Sequence, residues 1–534
     1  YFWVVSLVLF RACPPAGLAA DYNPCRKIKE IRVDKNPILS QRKAKKLTRK
    51  YLGLCAEPGA LNLILRTLTN ECVRRGYITS RAVIAPQDIS SGAVDVHILE
   101  GRLEGFEFDE NSRNSLSVFD KSQVLSAFAG FKNGILNLRD IEQGLSQMNR
   151  LSSKNITMKI YPGNDEGTSR ILLTDHGGQS QVRVKTAADN SGQDSTGLYN
   201  VRMSVEQDDL LKLNDSWLVS YSQSAKKAES DKRSQSVYAS AGIPFGYWNM
   251  SGNIVQSDYS TVIFGTNERI RNSGKGLHQN YRIERSLFRG RSQTASLWVQ
   301  LNLKNTESFI EDVKSEVGSR KLTVIKCGLN HSFVSRLGYF NAQAAYHRGL
   351  DLLDAKGDEG PLTPFTPRAQ FEKAEFSLNY MKAFQALGRS VRFKSFFEGQ
   401  YAFAPLYSSE QIVIGDAYSV RGFKERSAYG DQGVYAANEL TLALPGFLTE
   451  NLGINTTIRE TEWFAGFDAG LVKHFGGQEA NFGQGKAFLT GWATGLRFNG
   501  KYLNGDVTYS QSVHTEDFIG ISQEIYATLS LKLL

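Results

Sequence analysis

Between residues 21 and 176 the chain repeats one order of elements twice, and both copies contain amphipathic helices. From Gly59 to Gly76, apolar residues recur at steps of three and four, which predicts one helix that ends at Gly76. The apolar positions of this helix are Leu61, Ile64, Leu65, Leu68 and Cys72. Further helices are predicted at 40–51, 121–128 and 138–151, and strands at 27–33, 78–84, 93–99, 103–108, 156–161 and 169–174. The pattern therefore predicts two small α+β modules in tandem.

After about residue 179 the helical period gives way to an alternation of two residues that continues to the C-terminus. In the first clear example, the apolar positions Tyr199, Val201, Met203 and Val205 alternate with Asn200, Arg202, Ser204 and Glu206. Successive side chains of a strand point to opposite faces, so the charged residues of each such segment share one face. The pattern predicts a long series of strands, each with one apolar and one polar face.

The number of predicted strands decides between a soluble sandwich and a membrane barrel. At about 22 residues per strand and its loop, the remaining chain gives about sixteen strands, too many for an open soluble sheet. A membrane barrel accommodates this number and turns Arg, Lys and Glu toward a hydrated lumen while the alternate side chains face lipid. We therefore expect a transmembrane β-barrel of about 16 antiparallel strands, preceded by the two α+β modules.

Composition agrees with such a barrel and excludes a helical membrane bundle. The 534-residue chain has a mean hydropathy of −0.32 and no apolar run of 18 residues, whereas a spanning helix needs about 20 apolar residues. Its 48 Gly, 22 Tyr and 30 Phe are typical of many strands, tight turns and aromatic girdles. The net charge of +9 is interpreted as diffuse, without a Lys/Arg block interleaved with aromatics, so no nucleic-acid partner is expected.

The N-terminal segment has the features of an export signal. Residues 1–20 begin with the apolar run Tyr1 to Phe10 and end in small residues, Gly17 to Ala20, which predicts a signal peptide. Because an initiator Met and a basic start are absent, this signal peptide is expected to be truncated. Export would place the mature chain where thiols oxidise.

The cysteines predict a disulfide and no metal site. Cys25 and Cys55 bracket part of the first module and are expected to pair, with Cys13 and Cys72 as the alternative partners. Cys327 lies in a strand-like run and is expected to be a free thiol. Neither a CxxC motif nor a Cys/His cluster occurs, and no Walker spacing precedes Gly485-Lys486, so we expect no metal, nucleotide or other cofactor.

An enzymatic barrel is not expected. A phospholipase needs a serine and a histidine together on the barrel wall, and His331-Ser332 is the only pairing that the sequence offers. Adjacent residues on a strand face opposite ways, so these two side chains could not act together.

Several short motifs follow one another along the chain in a specific order. They are Cys25, Cys55, Gly76 to Arg81, Pro86 to Asp88, Glu100 to Glu104, Asn137 to Gly144, Pro162-Gly163, Ser409 to Gln411, Gly415, Val420 to Phe423, Gly430 to Gly433, Glu439-Leu440 and Phe467 to Gly470. Each is weak alone. Together, from about Pro24 to Leu534, they resemble the outer-membrane transporters of two-partner secretion, a family that includes haemolysin, haemagglutinin and contact-dependent inhibition exporters.

The resemblance implies a division of the chain into two periplasmic POTRA domains and a barrel. The first POTRA domain would comprise residues 21–101 and the second residues 102–177. The barrel would comprise residues 178–534 and lie in the Gram-negative outer membrane.

The resemblance also assigns a loop around 411–433 to the inside of the barrel. Arg421 at the loop tip would pair with Asp468, because a guanidinium in a confined lumen needs a bidentate acceptor. Gly422 would let the loop reverse tightly and Phe423 would supply an apolar foot. The motif residues at the tip and on the strand are Val420, Arg421, Gly422, Phe423, Phe467, Asp468 and Gly470.

The function implied is export of an unfolded, β-rich exoprotein without ATP. The POTRA domains would bind the N-terminal secretion domain of a contact-dependent inhibition toxin, haemolysin or adhesin, since an extended chain can add a strand to a sheet edge. Tyr77, Arg81 and Gln87 are candidate contacts, with turn and packing roles as the alternative. Further expected partners are outer-membrane lipid and lipopolysaccharide, and the barrel-assembly machinery and periplasmic chaperones during biogenesis; the protein is expected to be a monomer. A barrel-assembly insertase and a passive porin are the competing functions.

Overall fold

The structure is a computed structural model, and it describes most of the chain after the predicted signal peptide. The described residues are 25–109, 118–131, 134–225, 232–264, 269–358, 360–386, 388–445, 458–475, 485–517 and 519–533. The predicted signal peptide at 1–20 lies outside them. None of the described helices is long and apolar enough to cross a bilayer.

The first module is a three-stranded sheet covered by helices. Its elements are β1 (Glu30–Val33), α1 (Gln41–Thr48), a 3-10 turn (Arg49–Tyr51), α2 (Pro58–Arg74), β2 (Arg81–Val83) and β3 (Ala93–Leu99). The sheet order is β1-β3-β2, with β1 parallel and β2 antiparallel to β3. The predicted apolar stripe of α2 is buried at Ile64, Leu68 and Cys72, in one core with Val94 and Val96 of β3.

A disulfide and a buried ionic contact stabilise this module. Cys25 and Cys55 form the expected disulfide, with their Cα atoms 5.3 Å apart. The buried carboxylate of Glu71 accepts hydrogen bonds from Arg74 and Arg75. The bond from Arg74 is the main cause that lowers the pKa of Glu71 from 4.5 to about 2, against the opposing effect of burial.

The second module repeats the α+β architecture. Its elements are β4 (Arg102–Phe108), α3 (Val118–Ala127), α4 (Leu138–Met148), β5 (Ile156–Pro162) and β6 (Thr168–Asp175), with sheet order β4-β6-β5. The chain divides into two compact units, and most of this module belongs to the same unit as the barrel.

The remainder forms a closed barrel of sixteen antiparallel strands, which confirms the predicted fold class. The strands are β7 (Val182–Asp189), β8 (Tyr199–Asp208), β9 (Ser216–Ala225), β10 (Arg233–Phe245), β11 (Trp248–Phe264), β12 (Arg269–Arg289), β13 (Gln293–Ile310), β14 (Val313–Ser335), β15 (Gly338–Leu350), β16 (Glu372–Ala386), β17 (Arg389–Ala402), β20 (Gln432–Ala443), β21 (Ile458–Lys473), β22 (Lys486–Gly500), β23 (Leu503–His514) and β24 (Gln523–Lys532). Two short strands, β18 (Ile412–Ile414) and β19 (Ala428–Gly430), pair with each other outside the barrel sheet. Strand β24 pairs with β7 and closes the barrel.

The turn between β8 and β9, residues 209–215, lies at the end of the barrel where β7 starts, and its polar side chains are buried against the second module. Asp209 and Asn214 are fully buried in it. The Lys154 ammonium lies 3.1 Å from Asp209 Oδ2 and donates to Asn214 Oδ1 at 2.8 Å. The Asn214 amide donates to the Gln123 carbonyl and to Ser126 Oγ of α3, at 2.8 and 2.7 Å. Because the buried Asp209 and Asn214 have hydrogen-bond or ionic partners in the module, their burial does not destabilise the fold.

The positive charge is concentrated in the first module, so the expectation of a diffuse charge was wrong. Residues 25–101 contain fifteen Lys and Arg against seven Asp and Glu, and so carry +8 of the net +9. Five exposed basic residues follow one another closely on and beside α1: Arg42, Lys45, Lys46, Arg49 and Lys50. The rest of the chain is close to neutral, because its acids and bases balance.

Candidate functional site

The segment between β17 and β20, residues 403–431, folds into the barrel and is called the lumen loop below. Its hairpin β18–β19 pairs Ile412 with Gly430 and Ile414 with Ala428. Apolar side chains of the loop form one buried core with side chains of the inner wall and with Ile519, which lies between β23 and β24. This core comprises Ile412, Ile414, Val420, Phe423 and Ala428 of the loop with Val472, Ala487, Leu489 and Ile519.

The tip of the loop is held by an ion pair between Arg421 and Asp468, which the structure brings together. Arg421 Nε donates to Asp468 Oδ2 at 2.6 Å and Nη2 donates to Oδ1 at 2.9 Å, a bidentate arrangement. The Arg421 backbone N–H adds a third bond to Oδ2 at 3.1 Å. A fourth comes from the backbone N–H of Asn438 at 3.1 Å. Asp468 has no exposed surface, so its charge depends on these donors.

A second carboxylate extends the tip pair into a network. Glu439 of β20 accepts a bond from Arg421 Nη1 at 3.3 Å and two from Arg497 of β22, at 2.5 and 2.8 Å. The Arg497 guanidinium also lies 3.9 Å from the centre of the Phe464 ring. The network thus connects three neighbouring strands, β20, β21 and β22, to the loop tip. The sequence motifs included Glu439 without assigning it a contact, and sequence reasoning missed Arg497, although both have the inward parity of their strands.

Glycines on the facing wall allow the loop tip to approach the backbone of the barrel. A Cβ atom at Gly491 would lie 1.8 Å from the Arg421 carbonyl oxygen, and one at Gly466 would lie 2.2 Å from Arg421 Nη2. Gly470 faces Val420 at 3.0 Å on the same measure. Gly422 has φ of +101°, and its own Cβ would clash with the backbone of β23. Side chains at these positions would exclude the observed loop conformation.

Beyond the tip, the loop reaches the strands that close the barrel. The Phe423 carbonyl accepts a hydrogen bond from the Tyr526 hydroxyl of β24 at 3.0 Å. Lys424 Nζ donates to the carbonyl of Asn190, next to β7, at 2.7 Å. The loop therefore crosses the lumen from β17 to the β24–β7 seam.

A cavity of about 820 Å³ lies beneath the loop tip, toward the end of the barrel where β7 starts. Its charged lining is Arg392, Lys394, Arg421, Glu439, Glu462 and Arg497. Tyr418 of the loop lines it as well and is largely exposed. Charge on the inner wall fits a hydrated lumen, as expected for a barrel of this width.

The other sequence-predicted site residues lie in more varied surroundings. Phe467 points to the outer face of β21 and does not share the loop contact made by Gly470. In the first module, Tyr77 packs against the core and Arg81 is exposed on β2. Both polar ends of the Gln87 side chain bond to the backbone of Asp95, at 2.8 Å each. Of these three candidates for cargo contact, Arg81 is exposed, whereas Tyr77 and Gln87 are half-buried.

A sixteen-stranded barrel behind two α+β modules, with a loop pinned in its lumen, defines an outer-membrane β-barrel transporter. The family model described as haemolysin secretion/activation protein ShlB/FhaC/HecB matches residues 167–498, and the chain belongs to this family. A ShlB-type POTRA domain matches 27–101 and a further POTRA domain matches 102–162. The chain is accordingly a two-partner secretion transporter of the outer membrane, with its POTRA domains in the periplasm.

Individual relatives and solved structures agree with this assignment. The chain is 33% identical over 428 residues to outer membrane transporter CdiB of Dickeya dadantii, covering 80% of this chain and 74% of that one. It is 27% identical over 403 residues to the hemolysin transporter protein ShlB of Serratia marcescens, covering 75% and 68%. The solved structure of CdiB from Escherichia coli matches with a TM-score of 0.85 at 26% identity, over 97% of this chain and 93% of that one.

Proposed function

We propose that this transporter exports an unfolded, β-rich exoprotein through the space that the lumen loop occupies. The observation that carries the proposal is the buried Arg421–Asp468 pair, which fixes the loop inside a barrel otherwise wide enough for an extended chain. Movement of the loop would open the path. Residues 21–101 and 102–177 would act as the receiving POTRA domains and residues 178–534 as the pore.

We propose that the exoprotein docks first on the edge of β2 in the first POTRA domain. β2 is an edge strand of its sheet, and an added strand gains main-chain hydrogen bonds whatever most of its side chains are. Arg81 is exposed there and is the side-chain contact that we favour, whereas Tyr77 and Gln87 support the fold of the domain. The Ala82 N–H is occupied by Thr69 Oγ1 at 3.0 Å, so an incoming strand has to displace this hydroxyl to pair at Ala82.

Binding at this edge is tested by reversing the charge of Arg81. Arg81→Glu should weaken association of a purified N-terminal secretion domain with the full-length transporter, measured by surface plasmon resonance. Arg66→Glu is the matched control, because Arg66 is also exposed but lies on α2. Equal affinities for both variants and the wild type would contradict docking at β2.

Transport in this proposal needs no nucleotide. The exoprotein diffuses to the POTRA domains unfolded, passes the released loop and folds outside, which prevents its return. The exported protein is a contact-dependent inhibition toxin, or a haemolysin or adhesin. The higher sequence identity of the transporter to CdiB than to ShlB favours the toxin. We further propose a monomer that contacts lipid and lipopolysaccharide and is inserted with the help of the barrel-assembly machinery and periplasmic chaperones.

Deletion of the gene separates export from the competing functions. Loss of one secreted exoprotein, with normal assembly of other barrels, supports export, whereas general loss of barrels indicates an insertase and unchanged secretion indicates a porin. Within the transporter, Arg421→Asp should impair secretion, and adding Asp468→Arg should restore part of it. If Asp468→Ala changes neither loop position nor secretion, the proposal that the Arg421–Asp468 pair holds the loop in place is wrong.

A further inference from the structure

The lumen loop has a second charged contact, at its base, on another part of the wall. Glu410, in a 3-10 turn before β18, is 3% exposed. One carboxylate oxygen accepts a hydrogen bond from Lys304 Nζ of β13 at 2.5 Å. The other lies 3.6 Å from Lys373 Nζ of β16. A buried carboxylate between two ammonium groups is strongly held, because moving it away would leave the Lys304 ammonium group without this partner.

The backbone of the same turn is fixed by side chains of the wall. The Glu410 carbonyl accepts bonds from Lys373 Nζ at 2.9 Å and from Gln400 Nε2 of β17 at 3.0 Å. Lys373 is itself oriented by Gln400 Oε1 at 2.9 Å and by Glu375 at 2.9 Å. The base contact therefore belongs to β13, β16 and β17. None of these strands contributes to the tip network on β20, β21 and β22.

We propose that Glu410 is a positioning residue that keeps the base of the lumen loop fixed while its tip moves. The inference rests on the proposed function, in which the tip has to leave the lumen. The two charged contacts share no residue, so the Arg421–Asp468 pair can break without weakening the Glu410 contact. The loop then swings about the turn at Glu410 and returns to the same position after each passage.

Pulsed electron paramagnetic resonance on the full chain in liposomes measures base and tip separately. One nitroxide replaces Val299, on the outer face of β13, and the second replaces either Val413 at the loop base or Tyr418 at the tip. Both loop positions are exposed, and Cys327→Ser removes the thiol that is exposed within the described residues. Asp468→Ala should broaden the distance distribution to the tip and leave that to the base narrow.

Variants of the base contact should give the opposite result. Glu410→Gln should broaden the distribution to the base. Lys304→Met should reproduce this in part, and Lys304→Arg, which keeps the charge, should remain narrow. Glu284→Gln is the matched control, because this inward carboxylate bonds to Ser296 and Arg282 and does not touch the loop. Heat-modifiable migration on a gel verifies that each barrel is folded.

Two outcomes would overturn the proposal. One is an unchanged base distribution in Glu410→Gln, and the other is equal broadening of base and tip in Asp468→Ala. Both are read without any cargo, so they are independent of whether the proposed exoprotein is the right one. A variant that loses export although its distance distributions to base and tip match those of the wild type would instead count against the proposed function.

Discussion

Substituting Gly491 by alanine should expel the loop tip without altering any charge. Gly491 faces the lumen from β22, where the register with β23 shifts by a bulge. A Cβ atom there would lie 1.8 Å from the Arg421 carbonyl oxygen, and its next unrelated neighbour, the carbonyl oxygen of Gln511, would be 3.2 Å away. The severe clash is thus with the loop, while the wall needs only a small adjustment.

The size of the effect follows from the bonds that the retreat breaks. To reach ordinary contact the Arg421 carbonyl has to move by about 1.6 Å, and a shift of this size directed away from Asp468 lengthens hydrogen bonds of 2.6 to 3.1 Å to more than 4 Å, which breaks them. Bonds to charged groups contribute about 1.5–3 kcal/mol each. Arg421 donates three hydrogen bonds to Asp468. If the loop readjusts enough to keep one of them, the closed conformation loses about 3 kcal/mol of stability, which raises the population with a released tip about 150-fold.

Single-channel recording in planar lipid bilayers measures this population as the fraction of time spent at high conductance. Gly491→Ala should raise it steeply at neutral pH. Gly252→Ala is the matched control, because a Cβ at Gly252 of β11 would come no closer than 3.4 Å to Tyr281, its nearest neighbour. If Gly491→Ala and Gly252→Ala both conduct like the wild type, the close packing of the tip on β22 does not keep the pore closed, and the steric explanation is refuted.

Three further predictions concern the periplasmic part. The pKa of Glu71 is lowered from 4.5 to about 2 in the folded module, so its contribution to stability is complete above pH 4.5 and is lost as the pH falls toward 2. The protease resistance of the first module should fall over the same pH range. Glu71→Gln should make this resistance less dependent on pH. Replacing Cys25 and Cys55 by serine should destabilise the same module by about 2–4 kcal/mol, seen as a lower denaturation midpoint, and an unchanged midpoint would deny the disulfide a structural role. Lys154→Met leaves Asp209 buried without its cation and should cost about 3 kcal/mol; faster proteolysis between the second module and the barrel would show it, whereas wild-type resistance would contradict it.

The barrel and its tip contact could be predicted because both depend on the period of two. Parity places Asp468 on the inner face with Phe464, and the burial of both side chains agrees, whereas the place of Arg421 at the loop tip came from the family resemblance. An arginine at the loop tip needs an acidic partner on the inner wall, and Asp468 has the right parity to be that partner. Contacts of this kind are local in pattern even when they are distant in sequence.

The base contact of Glu410 and the burial of the turn around Asn214 could not be predicted in the same way. Glu410 meets Lys304, more than a hundred residues earlier, only because the barrel closes with a particular stagger between strands. Asn214 is polar and adjacent to other polar residues, a pattern typical of an exposed turn, and only the packing of the second module buries it. The charge of the first module was missed for a simpler reason: Lys and Arg are spread along it without forming one continuous block.

The glycines beneath the loop tip also determine what the wall is like once the loop has left. Gly466, Gly470 and Gly491 lie beside Ala493 and Ser510, so this strip of the inner surface carries only small groups around the side chain of Asp468. A polypeptide that slides along it meets backbone and small groups around one carboxylate, with little bulk to retain a large residue. The fit that lets the loop close the pore tightly would therefore also make the open pore tolerant of many amino-acid sequences.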